Sequence, residues 1–188
     1  MKGRSEKNDR TGREDAAAER AAALIREKSS AGRLVSESEI ISLLEEERRK
    51  CPDSLFTRLP DENEDVHRLS GAGSHFYYSS RHMTEIYARL LLLKLEGPLR
   101  LIAETVRRNS CACRRPVPLD LFTQPPFNLT RQEVLDSLAE MSRTEGWEDI
   151  AVASTSASVV FLYSRAHLET GHAEMLAEWL DVGQVQNP

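Results

Sequence analysis

The sequence predicts an α+β, mostly helical chain made of two related units in tandem, each with a small β-hairpin and an appended helix. Three observations carry that prediction. A strand-to-helix block recurs, with Phe76-Tyr-Tyr-Ser-Ser-Arg-His82 matching Phe161-Leu-Tyr-Ser-Arg-Ala-His167. Two capping boxes, Ser36-x-x-Glu39 and Thr130-x-x-Glu133, open helices in corresponding halves. One arm of strand character precedes each copy, and the block itself opens with the second, aromatic-rich arm of a hairpin.

The elements follow in order. Residues 1–14 are polar, mixed in charge and without apolar periodicity, and read as a disordered tail. From Asp15 to Lys28 the chain is Ala-rich and ends in Leu24 and Ile25, which predicts a helix closed by the Gly-containing stretch 29–33. After the capping box at Ser36, Ile40, Ile41, Leu43 and Leu44 form an apolar face, and Glu45 to Lys50 form a charged helical surface. Pro52 marks a break or a new first turn, and Pro60 to Asp65 reads as an acidic loop. Val66–Leu69 and His75–Ser79 form a hairpin turned by Gly71-Ala72-Gly73. The helix from about His82 to Leu95 is nearly apolar in its later turns, which predicts burial.

Gly97-Pro98 stops that helix and starts another, to about Arg108, with Leu99, Ile102, Ala103 and Val106 on one face. Pro116 to Pro118 is extended, 119–123 is a short helix, and Val134, Leu135, Leu138 and Met141 mark an amphipathic helix over 130–143. Trp147–Val152 and Val159–Ser164 make the second hairpin, and a helix over 167–180 packs through Leu168, Leu176 and Trp179. The first unit spans 15–96 and the second 97–182, with a loose tail at 183–188.

Laid over each other from Phe76 and Phe161, the copies share Phe76/Phe161, Tyr78/Tyr163, Ser79/Ser164, His82/His167, Ala88/Ala173 and Leu91/Leu176 without gaps. Upstream, 33–40 lies over 115–122, and 23–30 resembles 101–110 only with gaps. The order helix, short strand, helix, helix, hairpin resembles the winged-helix superfamily. The chain is also loosely similar to acidic tandem winged-helix segregation proteins of bacteria. The resemblance implies a non-enzymatic protein, either a DNA-associated transcriptional regulator or a protein–protein adaptor or assembly module.

The formal net charge is −5, unevenly spread. Residues 114–188 carry five arginines and no lysine against eleven carboxylates. Duplex binding needs concentrated positive charge to release counterions, and this half supplies little of it. The basic clusters that remain are candidate nucleic-acid contacts: Arg48, Arg49, Lys50 and Arg58 in the first unit, and Arg107, Arg108, Arg114 and Arg115 around the second unit's cysteines. A protein partner or self-association is expected, with nucleic acid reached through the first unit.

Ser79-x-x-His82 and Ser164-x-x-His167 have the residue types of nucleophilic catalysis, but recurrence at two helix starts favours serine N-caps and histidines packed on the hairpins. Cys111 and Cys113 lack the paired spacing of a zinc site, and Gly71-Ala72-Gly73 lacks the strand, lysine and helix of a phosphate loop. No catalytic residue, metal, cofactor or small-molecule substrate is predicted. No apolar run approaches the roughly 20 residues of a membrane span, the N-terminus lacks a signal peptide's apolar stretch, and the odd cysteine count disfavours a disulfide framework. The cytoplasm is the expected compartment.

Overall fold

The computed structural model describes residues 3–47 and 54–186, with side chains from 15 to 182 within those spans. The chain divides between Leu95 and Glu96 into two units. In the first, α1 (Gly3–Ser30) is followed by β1 (Val35–Ser36), α2 (Glu37–Glu46), α3 (Leu55–Glu62), β2 (Val66–Ser70), β3 (His75–Ser79) and α4 (Glu85–Glu96). The second runs α5 (Pro98–Arg108), a π-helical turn (Asn109–Cys113), β4 (Val117–Pro118), a 3-10 turn (Leu119–Thr123), α6 (Arg131–Met141), β5 (Ile150–Ser154), β6 (Val160–Ser164) and α7 (Thr170–Gln186). Each unit holds a three-stranded antiparallel sheet, ordered β1-β3-β2 and β4-β6-β5.

Each sheet is covered on both faces because the central strand alternates its side chains. Tyr77 of β3 packs with Ile25, Val35, Ile40, Leu44, Leu55 and Leu59, residues of α1, β1, α2 and α3. Its neighbours Phe76 and Tyr78 turn the other way, against Met83, Ala88 and Leu92. In β6 the division repeats. Leu162 meets Ile102, Val106, Phe122 and Val134, while Phe161 and Tyr163 meet Leu168, Ala173 and Ala177. The repeated block is therefore the second face of each sheet plus the helix that covers it. Among its shared identities, Ala88 and Ala173 are both 0% exposed and pack in the clusters of that second face.

Both capping boxes are formed, with the Ser36 and Thr130 hydroxyls accepting from the amides of Glu39 and Glu133 and the Ser36 and Thr130 amides donating to those carboxylates in return. Corresponding positions of the first layer also agree. Val35 pairs with Tyr77 as Val117 pairs with Leu162, and Ile40 and Phe122 are both fully buried.

Several expectations are corrected. Helix α1 begins at Gly3, taking in residues read from sequence as a tail. Residues 183–186 lie in α7 and not in a loose end. Pro52 lies outside the described residues, and α3 forms beyond it. Pro60 sits within α3, so the stretch read as an acidic loop is helical to Glu62. A proline there removes one amide and frees the carbonyl four residues earlier. That carbonyl, of Phe56, lies 3.5 Å from the Tyr77 hydroxyl, which is also 3.1 Å from Glu37 Oε1. Helix α4 is less buried than its composition predicts. One stripe, through Ala88, Leu91 and Leu92, meets the sheet, and Ile86 and Leu95 are 65% and 63% exposed. No helix among the described residues is long and apolar enough to cross a membrane.

Candidate functional site

The side chains with the strongest electrostatic organisation form one polar network, built twice. In the first unit, Arg26 and Ser29 lie three apart on α1, which places them on one face. Asp65 directly precedes β2, and Ser79 ends β3. Arg26 clamps Asp65 in a fork, Nη2 to Oδ1 at 2.7 Å and Nε to Oδ2 at 2.9 Å. The Ser79 hydroxyl donates to Asp65 Oδ2 at 2.8 Å, and the Ser79 amide donates to Ser29 Oγ at 2.9 Å. Asp65, Ser79 and Ser29 are all buried. The Arg26 guanidinium holds the Asp65 carboxyl far below the usual carboxylate range, helped by Ser79 and Arg81 and opposed by burial.

The second unit repeats this atom for atom. Arg107 and Ser110 again lie three apart, Asp149 precedes β5, and Ser164 ends β6. Arg107 reaches Asp149 Oδ1 at 2.6 Å and Oδ2 at 3.0 Å, and Ser164 Oγ donates to Oδ2 at 2.6 Å. The Ser164 amide donates to Ser110 Oγ at 3.0 Å. Arg107 holds the Asp149 carboxyl down at about 2. The guanidinium also meets Glu104 at 3.1 Å and the Gly146 carbonyl at 2.9 Å, and lies 5.2 Å from the centre of the Trp147 ring.

This geometry corrects the reading of the repeated serines. They are not helix N-caps, since α4 and α7 begin only at Glu85 and Thr170. Thr84 takes the role before α4, accepting from the Tyr87 amide at 3.3 Å. Ser79 and Ser164 instead anchor the ends of the central strands. His82 and His167 are exposed on the following turn and do not pack on the hairpins. Each donates its backbone amide to the serine carbonyl, at 3.1 and 3.0 Å.

The candidate nucleic-acid residues scatter. Arg48, Arg49 and Lys50 lie outside the described residues. Arg58 is engaged by Asp15 and Glu62, each at 2.7 Å. Arg107 belongs to the internal network. Arg108, Arg114 and Arg115 are exposed on either side of the π-helical turn and form no ion pair among the described residues. That turn has a physical origin. The second unit carries one more residue between Ser110 and Val117 than the first carries between Ser29 and Val35, and the surplus is absorbed as a wider turn. Arg114 then takes the left-handed conformation, φ 52°, that Gly32 takes at 71° in the first unit. Cys111 and Cys113 are exposed free thiols on this turn. Among the described residues, no group of three or more metal-ligating side chains gathers.

The comparisons bear on the whole chain. The profile of the YdhW C-terminal domain matches residues 96–185. A relative described as uncharacterized protein YdhW, from Escherichia coli strain K12, is 31% identical over 176 residues, covering 91% of this chain and 81% of the relative. The chain belongs to the YdhW family. No solved structure matches it. The YdhW C-terminal domain match coincides with the second unit, which begins at Glu96.

The surface of this YdhW-family chain has two further features, the first of them expected from the three acids and two arginines that α6 turns outward. The outward side of α6 is acidic, and its first cation is spent, since Arg131 pairs with Asp120 at 2.7 Å. Gln132 likewise bonds Asp136 at 2.7 Å, and Glu133 closes the capping box. The second hairpin's loop is held by acids of α7. Thr155 Oγ1 donates to Asp181 at 2.5 Å, and both the amide and hydroxyl of Ser156 donate to Glu178. Large apolar side chains lie in the open nearby, with Leu135 43%, Met175 59% and Trp179 65% exposed. The periodicity of α6 and α7 placed Leu135 and Trp179 among packing candidates, because spacing alone cannot say which stripe a small sheet has room to cover.

Proposed function

We propose that this chain is a non-enzymatic tandem winged-helix protein that works as a protein–protein adaptor or assembly module. The winged-helix reading is supported by the element order helix, strand, helix, helix, hairpin in both units and by the sheet order β1-β3-β2 and β4-β6-β5. In that fold the third helix enters the major groove and the hairpin touches the phosphate backbone. One observation carries the adaptor reading: in the second unit the third helix presents carboxylates, and the hairpin loop carries no cation and is flanked by carboxylates of α7. Helix α6 offers Glu133, Asp136 and Glu140, and the hairpin loop is tied to Glu178 and Asp181. Phosphate would meet like charge at each contact. The exposed pair Met175 and Trp179 on α7 supplies the apolar anchors that protein interfaces favour.

A second reading, a DNA-associated regulator, rests on Arg108, Arg114 and Arg115, three of the exposed cations that form no ion pair among the described residues. A single pair of measurements separates the two. Duplex DNA is titrated at low and moderate salt with the natural chain and with R108A/R114A/R115A. In parallel, quantitative affinity capture compares the natural chain with M175D/W179D. The adaptor reading expects weak DNA binding and loss of specific captured proteins in the α7 variant. Tight, salt-dependent DNA binding that the triple variant abolishes, with captured proteins unchanged by the α7 variant, rejects it. The cytoplasm remains the compartment proposed for this activity.

A further inference from the structure

Strand β5 is an edge of its sheet, paired on one side only, with β6. Two hydrogen bonds fix its phase. The Thr155 amide donates to the Val159 carbonyl at 3.0 Å, and the Arg165 amide donates to the Asp149 carbonyl at 2.7 Å. In an antiparallel ladder the pairing groups alternate. Residues 149, 151, 153 and 155 therefore turn their amides and carbonyls inward, and Ile150, Val152 and Ser154 turn theirs outward. The Ile150 amide is used locally, donating to the Trp147 carbonyl at 3.0 Å. The amides of Val152 and Ser154 and the carbonyls of Ile150, Val152 and Ser154 have no hydrogen-bond partner among the described residues.

Such an edge invites a further strand unless something blunts it, most often a charge. The first unit has that device. Arg68 of β2 stands opposite Tyr77 as Val152 of β5 stands opposite Leu162, and Arg68 is exposed. The second unit puts valine there, 52% exposed. Beside it, Leu138, Met141, Trp147 and Ile150 line a shallow groove between α6 and β5.

The free groups are complementary to themselves. Turned about a two-fold axis at Val152, two β5 strands give reciprocal bonds between the Val152 amide of each and the Val152 carbonyl of the other. The Ser154 amide of each then reaches the Ile150 carbonyl of the other. The amide that this register cannot use is that of Ile150, which is already engaged. We propose that two copies of this chain associate by antiparallel pairing of β5, joining their second units in one six-stranded sheet. The contact is isologous, as a closed dimer requires. It uses neither Met175 nor Trp179, so the α7 variant M175D/W179D tests the adaptor reading separately.

The test is the mass of the full chain by sedimentation velocity over a concentration series. The natural chain moves from 21.2 kDa toward twice that mass as concentration rises. V152R, which transplants the first unit's own device, stays monomeric throughout with unchanged circular dichroism and melting temperature. V152T, which keeps a β-branched uncharged residue, retains the dimer. Hydrogen exchange at the Val152 and Ser154 amides slows with concentration in the natural chain only. A natural chain that stays monomeric at every concentration overturns the proposal, as does a dimer that V152R leaves intact. An edge protected only when an unrelated protein is bound also overturns it.

Discussion

Removing the charge of Asp149 perturbs the network of the second unit in a way that can be measured along two routes. Its carboxyl sits at about 2, against an ordinary value near 3.8, and Arg107 is the largest cause. A depressed carboxylate contributes stability that is fully present above the unfolded value and is lost as pH falls through the folded one. The window is therefore pH 4 down to 2. At about 1.4 kcal/mol per unit, the group contributes on the order of 2 kcal/mol at neutral pH. The side chain is 19% exposed and its partner 26%, so solvent screening removes only part of that. D149N keeps the shape and loses the charge, and it should cost about 2–3 kcal/mol at pH 7. For a unit of this size the melting temperature then falls by roughly 10–20 °C. The assay is urea unfolding followed by Trp147 fluorescence in a W179F background, from pH 7 to pH 2. The natural chain should lose stability steeply below pH 4, and D149N should lose correspondingly less. A cost under about 0.5 kcal/mol, or an acid slope unchanged by the substitution, refutes the argument.

Ser29 and Ser110 each accept a strand-end amide inside the protein, so S29A and S110A should each cost about 1–3 kcal/mol in denaturant unfolding, and by similar amounts. S36A and T130A remove one half of a capping box and should each cost about 1 kcal/mol, read as a shift in the urea midpoint with unchanged slope. F122A should cost about 3–5 kcal/mol, since Phe122 is 0% exposed and meets Phe127 edge-on at 5.3 Å. R114G should leave stability unchanged or raise it by up to about 1 kcal/mol, because glycine takes the φ of 52° without the steric cost an arginine pays.

The likeness of the two units was legible in sequence where their interactions are local. Ser36 and Glu39, or Thr130 and Glu133, meet within a single turn, so their spacing alone declares the helix start. The strand block was legible because Phe76, Tyr78, Met83 and Ala88 bury against one short segment, and the same demand shapes Phe161, Tyr163, Leu168 and Ala173. The Arg–Asp–Ser–Ser network was not legible as a network. Its partners lie 39 and 50 residues apart in the first unit, and 42 and 54 in the second. Gapless alignment could flag Ser79 and Ser164, but their arginines and aspartates fall at other offsets, because loops between elements vary in length without cost to the core.

What the sequence determined by itself was therefore the alternation of elements, the two capped helix starts and the likeness of the two sheets, all set by side chains within a few residues of one another. The tertiary structure alone decided which arginines are spent. Arg58 and Arg107 read as basic surface, and each is held by carboxylates that only folding brings near. It decided equally which apolar residues stay in the open, Val152 and Trp179 among them. The physical reason is common to both. A guanidinium's partner and a valine's exposure depend on what packs across the sheet, and periodicity along one strand or helix carries no information about the far side.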